Sequence, residues 1–160
     1  MDQIAIYTDG SCYGNPGKGG YAAVIREKNH QRIITGGEDY STNNRMELAG
    51  IIAGLSAVRP GSSVTVYTDS YYVTGAVNEG RLTVWQRNGW RRIRTGEPVK
   101  NADRWLVLLE LMRKRNLRVR FVKVKAHKCN YFNNHADYLA KKSAANREKN
   151  AFKSIGKLAL

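Results

Sequence analysis

Hydrophobic and polar positions along the chain follow two periods, and the changes between them mark out its elements. Ile4 and Ile6 stand two apart among β-branched and aromatic neighbours, predicting a buried strand over Ile4 to Asp9 that the turn formers of Gly10 to Gly17 end. Gly19 to Arg26 and Gln31 to Gly37 read as two more strands joined by the polar turn Glu27 to His30, so an antiparallel meander is expected. The period then lengthens. Ser41-Thr42-Asn43-Asn44 supplies helix-capping side chains, Arg45 to Val58 carries good helix formers with Leu48, Ile51, Ile52 and Leu55 as the buried stripe, and Pro60-Gly61 stops it. Val64 to Asp69 returns to alternation, and Tyr71 to Asn78 is a short helical stretch. Ala102 to Arg115 is an amphipathic helix with Trp105, Leu108, Leu109 and Met112 at core spacing, and Leu117 to Lys125 is a strand with a basic face. After the polar loop His127 to Asn134 a last helix is expected over about His135 to Lys149, and residues 150–160, weakly periodic, are expected to form a loosely held tail.

Two of the strands end on the same three residues, Tyr-Thr-Asp at 7–9 and at 67–69. An Asp after a strand is ordinarily a turn former or a helix cap. Two such strands side by side would hold Asp9 against Asp69, and close carboxylates repel unless a cation or a shared proton intervenes, which points to a metal or acid/base site. Glu47, one turn before Ile51, belongs beside the buried stripe and needs a partner there; reaching solvent or answering Asn44 in a capping arrangement is the simpler alternative. Asp137 falls in the first turn of the expected last helix, where the helix dipole alone favours an acid.

Charge sharpens the picture. Among 160 residues, 27 Lys and Arg stand against 13 Asp and Glu, a formal net charge of +14, and polyanions are the natural partners of such a surface. Residues 79–100 concentrate the effect: Arg81, Arg87, Arg91, Arg92, Arg94 and Lys100 interleave with Trp85 and Trp90, a pattern suited to nucleic-acid backbones if the indoles are exposed, and to a solvated helix if they pack inward. The length fits one domain with a real core. No apolar run reaches membrane-span length and Met1-Asp2-Gln3 lacks the features of a signal peptide, so a cytoplasmic protein is expected. Cys12 and Cys129 are too few for a disulfide framework, and zinc held by Cys12, His127, Cys129 and His135 has no close Cys-x-x-Cys pair to support it.

Tyr-Thr-Asp-Gly-Ser at 7–11, Gly-Asn-Pro-Gly at 14–17, Thr-Asn-Asn-Arg-Met-Glu-Leu at 42–48, Tyr-Thr-Asp-Ser at 67–70, Pro-Val-Lys-Asn at 98–101 and His127 followed by Asp137 together closely resemble type 1 ribonuclease H. The resemblance covers about residues 3–149. It implies an α/β fold, a five-stranded mixed sheet with its first three strands antiparallel and helices around it, in a single catalytic domain over 1–149 with 79–100 as a basic protrusion. By likeness, Asp9, Glu47, Asp69 and Asp137 would hold two Mg²⁺ ions, with Mn²⁺ as a possible substitute, Asp9 bridging, Asp137 on the attacking-water side, and Glu47 with Asp69 on the leaving-group side. His127 would shuttle protons or help product leave. The implied substrate is an RNA/DNA hybrid whose RNA strand is cut to 5′-phosphate and 3′-hydroxyl ends by a monomeric enzyme. Backbone groups around Cys12 and the side chains of Asn15, Asn43 and Glu47 would contact 2′-hydroxyls, the one group that separates RNA from DNA, and Asn44 the minor groove. Thr42 and Asn101 would hold a DNA-strand phosphate, and Trp85, Trp90, Arg91 and Arg92 would grip the DNA strand. The chain departs from the family at Tyr71, where Gln is common, at Gly80, commonly aromatic, and at Ala126, commonly Gly. A structure-selective DNA nuclease of the same fold, a hybrid-binding module without catalysis, and the nuclease domain of a reverse transcriptase are the rival readings.

Overall fold

A computed structural model of the chain describes residues 3–125 and 131–158. Ten elements follow in order: β1 (Ile4–Tyr13), β2 (Gly17–Glu27), β3 (His30–Ser41), α1 (Asn43–Ser56), β4 (Ser63–Thr68), α2 (Tyr71–Asn78), α3 (Arg81–Arg87), α4 (Ala102–Lys114), β5 (Arg118–Lys123) and α5 (Tyr131–Leu158). The strands form one sheet in the order β3-β2-β1-β4-β5. β1, β2 and β3 pair antiparallel, whereas β4 runs parallel to β1 and β5 parallel to β4. Parallel neighbours need long crossovers, and the helices supply them. The expected five-stranded mixed sheet is therefore the architecture observed.

One face of the sheet carries the core. Ile4, Ile6, Val64, Val66 and Phe121 from the strands meet Leu48, Ile51 and Leu55 of α1 and Trp105 and Leu108 of α4. α5 covers β1, β2 and β3 from the other side, its Phe132 ring against Tyr7. Among the described residues, no helix is long and apolar enough to cross a membrane.

Three elements differ from expectation for identifiable reasons. α1 buries Met46, Glu47, Ala49, Gly50 and Gly54 as well as Leu48, Ile51 and Leu55, while Ile52 is only half-buried. The helix packs against β1 and β2 on one side and α4 on another, so a single stripe could not describe it. In α4, Leu111 and Met112 pack on the core and Leu109 lines an outer groove instead. α5 begins at Tyr131, four residues before the expected His135, and its backbone stays helical to Leu158. Asn133 and Asn134 argue for a loop by propensity, but Asn133 is buried and Phe132 is packed on the sheet, and tertiary contact overrides the weaker local preference.

β1 passes the start of α1 at backbone contact distance. A Cβ at Gly10 would lie 2.2 Å from the carbonyl carbon of Met46 and 2.3 Å from the amide nitrogen of Glu47. Main chain cannot swing aside as a side chain can, so Gly10→Ala is expected to lower unfolding stability by about 1–3 kcal/mol. Urea denaturation measures this, and an unchanged midpoint would mean that strand and helix part freely.

Candidate active site

The register of β1 against β4 builds the centre. Tyr7 lies opposite Tyr67 in a parallel pair, so the residues two further on, Asp9 and Asp69, emerge at the same level on adjacent strands. Side chains alternate along a strand, which puts each Asp on the face of its own Tyr. α1, capped by the Thr42 hydroxyl accepting from the Arg45 amide, brings Glu47 in over Gly10. Carboxylate oxygens of Asp9, Glu47 and Asp69 all lie within 4.8 Å of one another. Asp137 of α5 hydrogen-bonds to Asp9, and Lys141 Nζ donates to Asp137 Oδ2 at 2.9 Å. The four acids expected to converge are thus in one place. Because α5 starts early, Asp137 falls in its second turn, beyond the reach of the dipole effect that could have explained an acid there.

The electrostatics of this spot are unbalanced. Asp9 and Glu47 are 4% and 7% exposed. Burial, ahead of every other influence, pushes the Asp9 carboxyl up to about 7; its hydrogen bond with Glu47 works the other way, and Asp137 and Asp69 add to the rise. Glu47 is raised well above the ordinary carboxylate range, first by burial and then by the charge of Asp9. The Gly10 amide donates to Asp9 Oδ1 at 2.9 Å, and the same backbone group lowers Glu47, an influence smaller than the burial and charge that raise it. An all-oxygen, carboxylate-rich donor set with more negative charge than its surroundings can balance suits a hard divalent cation.

Beside the acids, Asn15, Thr42, Asn43, Asn44, Lys100 and Asn101 line a pocket of about 480 Å³. Its walls are cross-braced. The Cys12 amide donates to Asn43 Oδ1 at 2.9 Å, and the Asn43 amide to Asn15 Oδ1 at 3.1 Å. Asn101, at φ 60°, accepts from Arg45 Nη1 at 3.2 Å and donates to the Tyr72 hydroxyl at 3.1 Å, which also accepts from Trp105 Nε1 at 2.9 Å. Arg45 is held in turn by Asp103, at 3.0 and 2.8 Å. Sequence reasoning missed this bracing by Arg45, Tyr72 and Asp103, and it assigned Lys100 to the protrusion. Arg45, inside the 42–48 motif, was the available signal.

The protrusion turns its charges out and its indoles in. Arg87, Arg91, Arg92 and Arg94 are exposed, with Arg91 Nη1 donating to the Gly96 carbonyl at 2.9 Å and the Arg92 amide to Glu97 at 2.8 Å. Trp85 and Trp90 are half-buried against the core, Trp85 tilted on Trp105 at 6.1 Å between ring centroids, so of the two arrangements open to this segment the indoles take the inward one. Tyr71 is 56% exposed, but its hydroxyl is engaged by both carboxylate oxygens of Glu79 at 2.8 Å. His127, with Ala126, Lys128 and Cys129, lies outside the described residues.

A carboxylate cluster at the end of a mixed sheet, in a strongly basic α/β protein, is the arrangement of a metal-dependent nuclease. The ribonuclease H family model matches residues 1–145. A ribonuclease H from Syntrophomonas wolfei is 45% identical over 157 residues, 98% of this chain and 100% of its own. Among solved structures, LC9-RNase H1, described as a type 1 RNase H with the type 2 active-site motif, aligns at TM-score 0.78 and 24% identity over 92% of this chain and 74% of that one. LC11-RNase H1, solved in complex with an RNA/DNA hybrid, aligns at TM-score 0.62 and 24% identity over 89% and 97%. The chain belongs to the ribonuclease H family.

The raised acids set the pH response of the metal-free protein. An acid whose folded pKa lies above its unfolded value binds more protons in the folded state, so stability falls as pH rises from near 4, the unfolded range, through about 7 for Asp9. In chelator the protein is expected to melt higher at pH 5 than at pH 8. Asp9→Asn is expected to raise stability at pH 8 by on the order of 2–4 kcal/mol and to flatten the profile. Thermal unfolding across that range checks both, and a metal-free protein that gains stability towards pH 8 would contradict the assignment.

Proposed function

We propose that the protein hydrolyses the RNA strand of RNA/DNA hybrids, with Asp9, Glu47, Asp69 and Asp137 holding two Mg²⁺ ions, Mn²⁺ substituting, and with 5′-phosphate and 3′-hydroxyl ends as products. The observation that carries this reading is the meeting of Asp9, Glu47 and Asp69 within 4.8 Å, partly or wholly buried, in a protein of formal charge +14. Divalent ions bound there would polarise the phosphodiester and activate water for in-line displacement. Asp9, which meets both Glu47 and Asp137, would serve both ions. Lys141 holds the Asp137 carboxylate in one orientation. Glu47 and Asp69 complete the other side.

Selection of the hybrid falls to the neighbouring surfaces. In this reading the Cys12 backbone, Asn15 and Asn43, tied to one another by hydrogen bonds, face 2′-hydroxyls, and Asn44 the minor groove. Thr42, Asn101 and Lys100 share one pocket, where two neutral donors and a cation suit a DNA-strand phosphate. Arg91 and Arg92, outward on the protrusion, meet further phosphates, while Trp85 and Trp90 contribute by supporting that segment from within. His127 assists proton transfer or product departure. The hybrid bound by LC11-RNase H1 supports the substrate class.

Labelled hybrid, RNA duplex and DNA duplex offered to wild type and Asp9→Asn, with and without chelator, test the reading. Cleavage is expected only of RNA within the hybrid, only with metal, and only by wild type. Chelator-resistant cutting or an active Asp9→Asn protein would sink the metal mechanism, and equal cutting of duplex DNA would favour a DNA nuclease. Separately, replacing Arg91 and Arg92 with Ala should reduce the slope of log binding constant against log salt by about 0.9 for each phosphate that is no longer neutralised. An unaltered slope would remove the protrusion from the interface.

A further inference from the structure

The tyrosines of the repeated Tyr-Thr-Asp, and the Tyr131-Phe132 pair at the start of α5, take no part in that chemistry. They meet each other. The Tyr7 and Tyr67 rings stack at 4.8 Å between centroids and 12° between planes, and Phe132 packs on Tyr7 at 5.2 Å. The Arg26 guanidinium covers the Phe132 ring at 3.9 Å, and Tyr131 meets its edge at 5.2 Å. We propose that Phe132, seated in this aromatic bed, is a positioning residue for the fourth carboxylate: it fixes the roll and slide of α5 so that Asp137 meets Asp9. The proposal rests on the reading of Asp137 as a metal-holding acid.

Farther along, α5 is tied to the sheet by Arg147 Nη1 donating to Asp39 Oδ1 at 3.1 Å, but at the end nearest the acids Phe132 is the large side chain packed on it. The buried stripe of α5 at this end is Asn133, Ala136, Ala140 and Ala144, side chains too small to interdigitate deeply with the sheet. Small residues allow close approach instead: a Cβ at Gly20 would lie 2.3 Å from the Ala144 nitrogen and 2.4 Å from the Ala140 oxygen. That approach fixes how close the helix lies to the sheet, while its roll about its own axis at the end nearest the acids is left to the larger side chain, Phe132. Phe132 and Asp137 flank that stripe on opposite sides, so rolling the helix to lift Phe132 from Tyr7 swings Asp137 relative to Asp9. The spacings also agree. Five residues of helix from Phe132 to Asp137 advance about 7.5 Å, and two residues of strand from Tyr7 to Asp9 advance about 6.7 Å. Gly20 pairs with Ser11, two residues beyond Asp9, and meets Ala140 and Ala144. Helix and strand therefore run alongside in the same direction, and the aromatic contact sets their relative position at the end nearest the acids.

The test compares Phe132→Ala and Phe132→Leu with wild type for hybrid cleavage against Mg²⁺ concentration, Mg²⁺ binding by calorimetry, metal-free hybrid binding, and melting. Phe132→Ala is expected to need roughly tenfold more Mg²⁺ or above for half-maximal cleavage, as losses behind a metal-holding group typically do. Phe132→Leu, which keeps apolar volume, should shift the same way by less, and metal-free hybrid affinity should stay within about twofold, as Phe132 meets no substrate in this reading. Lowered melting with unchanged Mg²⁺ dependence in both variants would overturn the proposal, and if Phe132→Ala does not fold, Phe132→Leu alone decides it. Asp9→Asn and Asp137→Asn run in parallel. If these cleave like wild type the metal reading fails, whereas inactive Asp variants beside Phe132 variants of normal Mg²⁺ dependence refute only the positioning role.

Discussion

Carboxylates buried side by side are the constraint that the rest of this structure accommodates. Each of Asp9 and Glu47 is nearly inaccessible to water, burial raises both, Asp9 raises Glu47 further, Asp69 and Asp137 raise Asp9, and no cation is among the leading influences on either. A fold that only had to be stable would place apolar side chains or an ion pair there. Here the cost is confined to one end of the sheet, and the elements around it are those least able to yield. β1 is the central strand, paired on both sides, and its Ile4 and Ile6 are in the middle of the core. α1 is buried on several sides and approaches β1 main chain to main chain at Gly10. Repulsion that would push loops apart is held by packing that is already committed.

Charge is distributed by the same logic. The excess of Lys and Arg lies on the outside of the protrusion and along exposed strand positions such as Arg118 and Arg120 of β5. Cations near the acids have other engagements: Arg45 with Asp103 and Asn101, Arg26 over Phe132, and Lys141 with the half-buried Asp137 at the edge of the cluster. A guanidinium turned into the centre would neutralise Asp9 and lower its pKa, and with it the affinity for a divalent ion. Keeping guanidinium groups off the buried Asp9 and Glu47, with Lys141 meeting the cluster only at Asp137 on its edge, preserves the negative potential for metal while the wider positive field attracts a polyanion. Binding an ion would also stabilise the fold, since anything that binds only the folded chain shifts the unfolding balance towards it.

How much of this was legible in the sequence depended on the range of the signal. The Tyr-Thr-Asp repeat predicted the meeting of Asp9 and Asp69 because strand periodicity is strict and a buried parallel pair tolerates no slip. Glu47 was legible from one helical turn, by its spacing to Ile51. Asp137 was placed correctly in the chain but in the wrong turn, since the start of α5 is set by Phe132 docking on Tyr7, a contact 125 positions apart that no local rule contains. Trp85 and Trp90 were left open between solvent and core for a related reason: an aromatic among arginines looks solvent-facing until the partner is known, and for Trp85 that partner is the buried Trp105 on another helix. The bracing of Asn101 by Arg45 and Tyr72 was likewise hidden, although each residue lay within or beside a motif.

The misses share a cause, and it bears on how the centre is built. Acids that come from strands inherit their positions from sheet register, which hydrogen bonds fix to within a residue. An acid delivered by a helix has no such ladder to the sheet, and its position depends on which side chains stop the helix from rolling. Glu47 is held by the backbone approach at Gly10 and by burial on several faces of α1. Asp137 rides on a helix whose inner stripe is alanine. A cluster drawn from two strands and two helices is therefore well determined on three sides and dependent on a few large side chains for the fourth. The fourth side is also where Phe132 meets Tyr7, so variation in that segment would shift Asp137 without touching the sheet that carries Asp9 and Asp69.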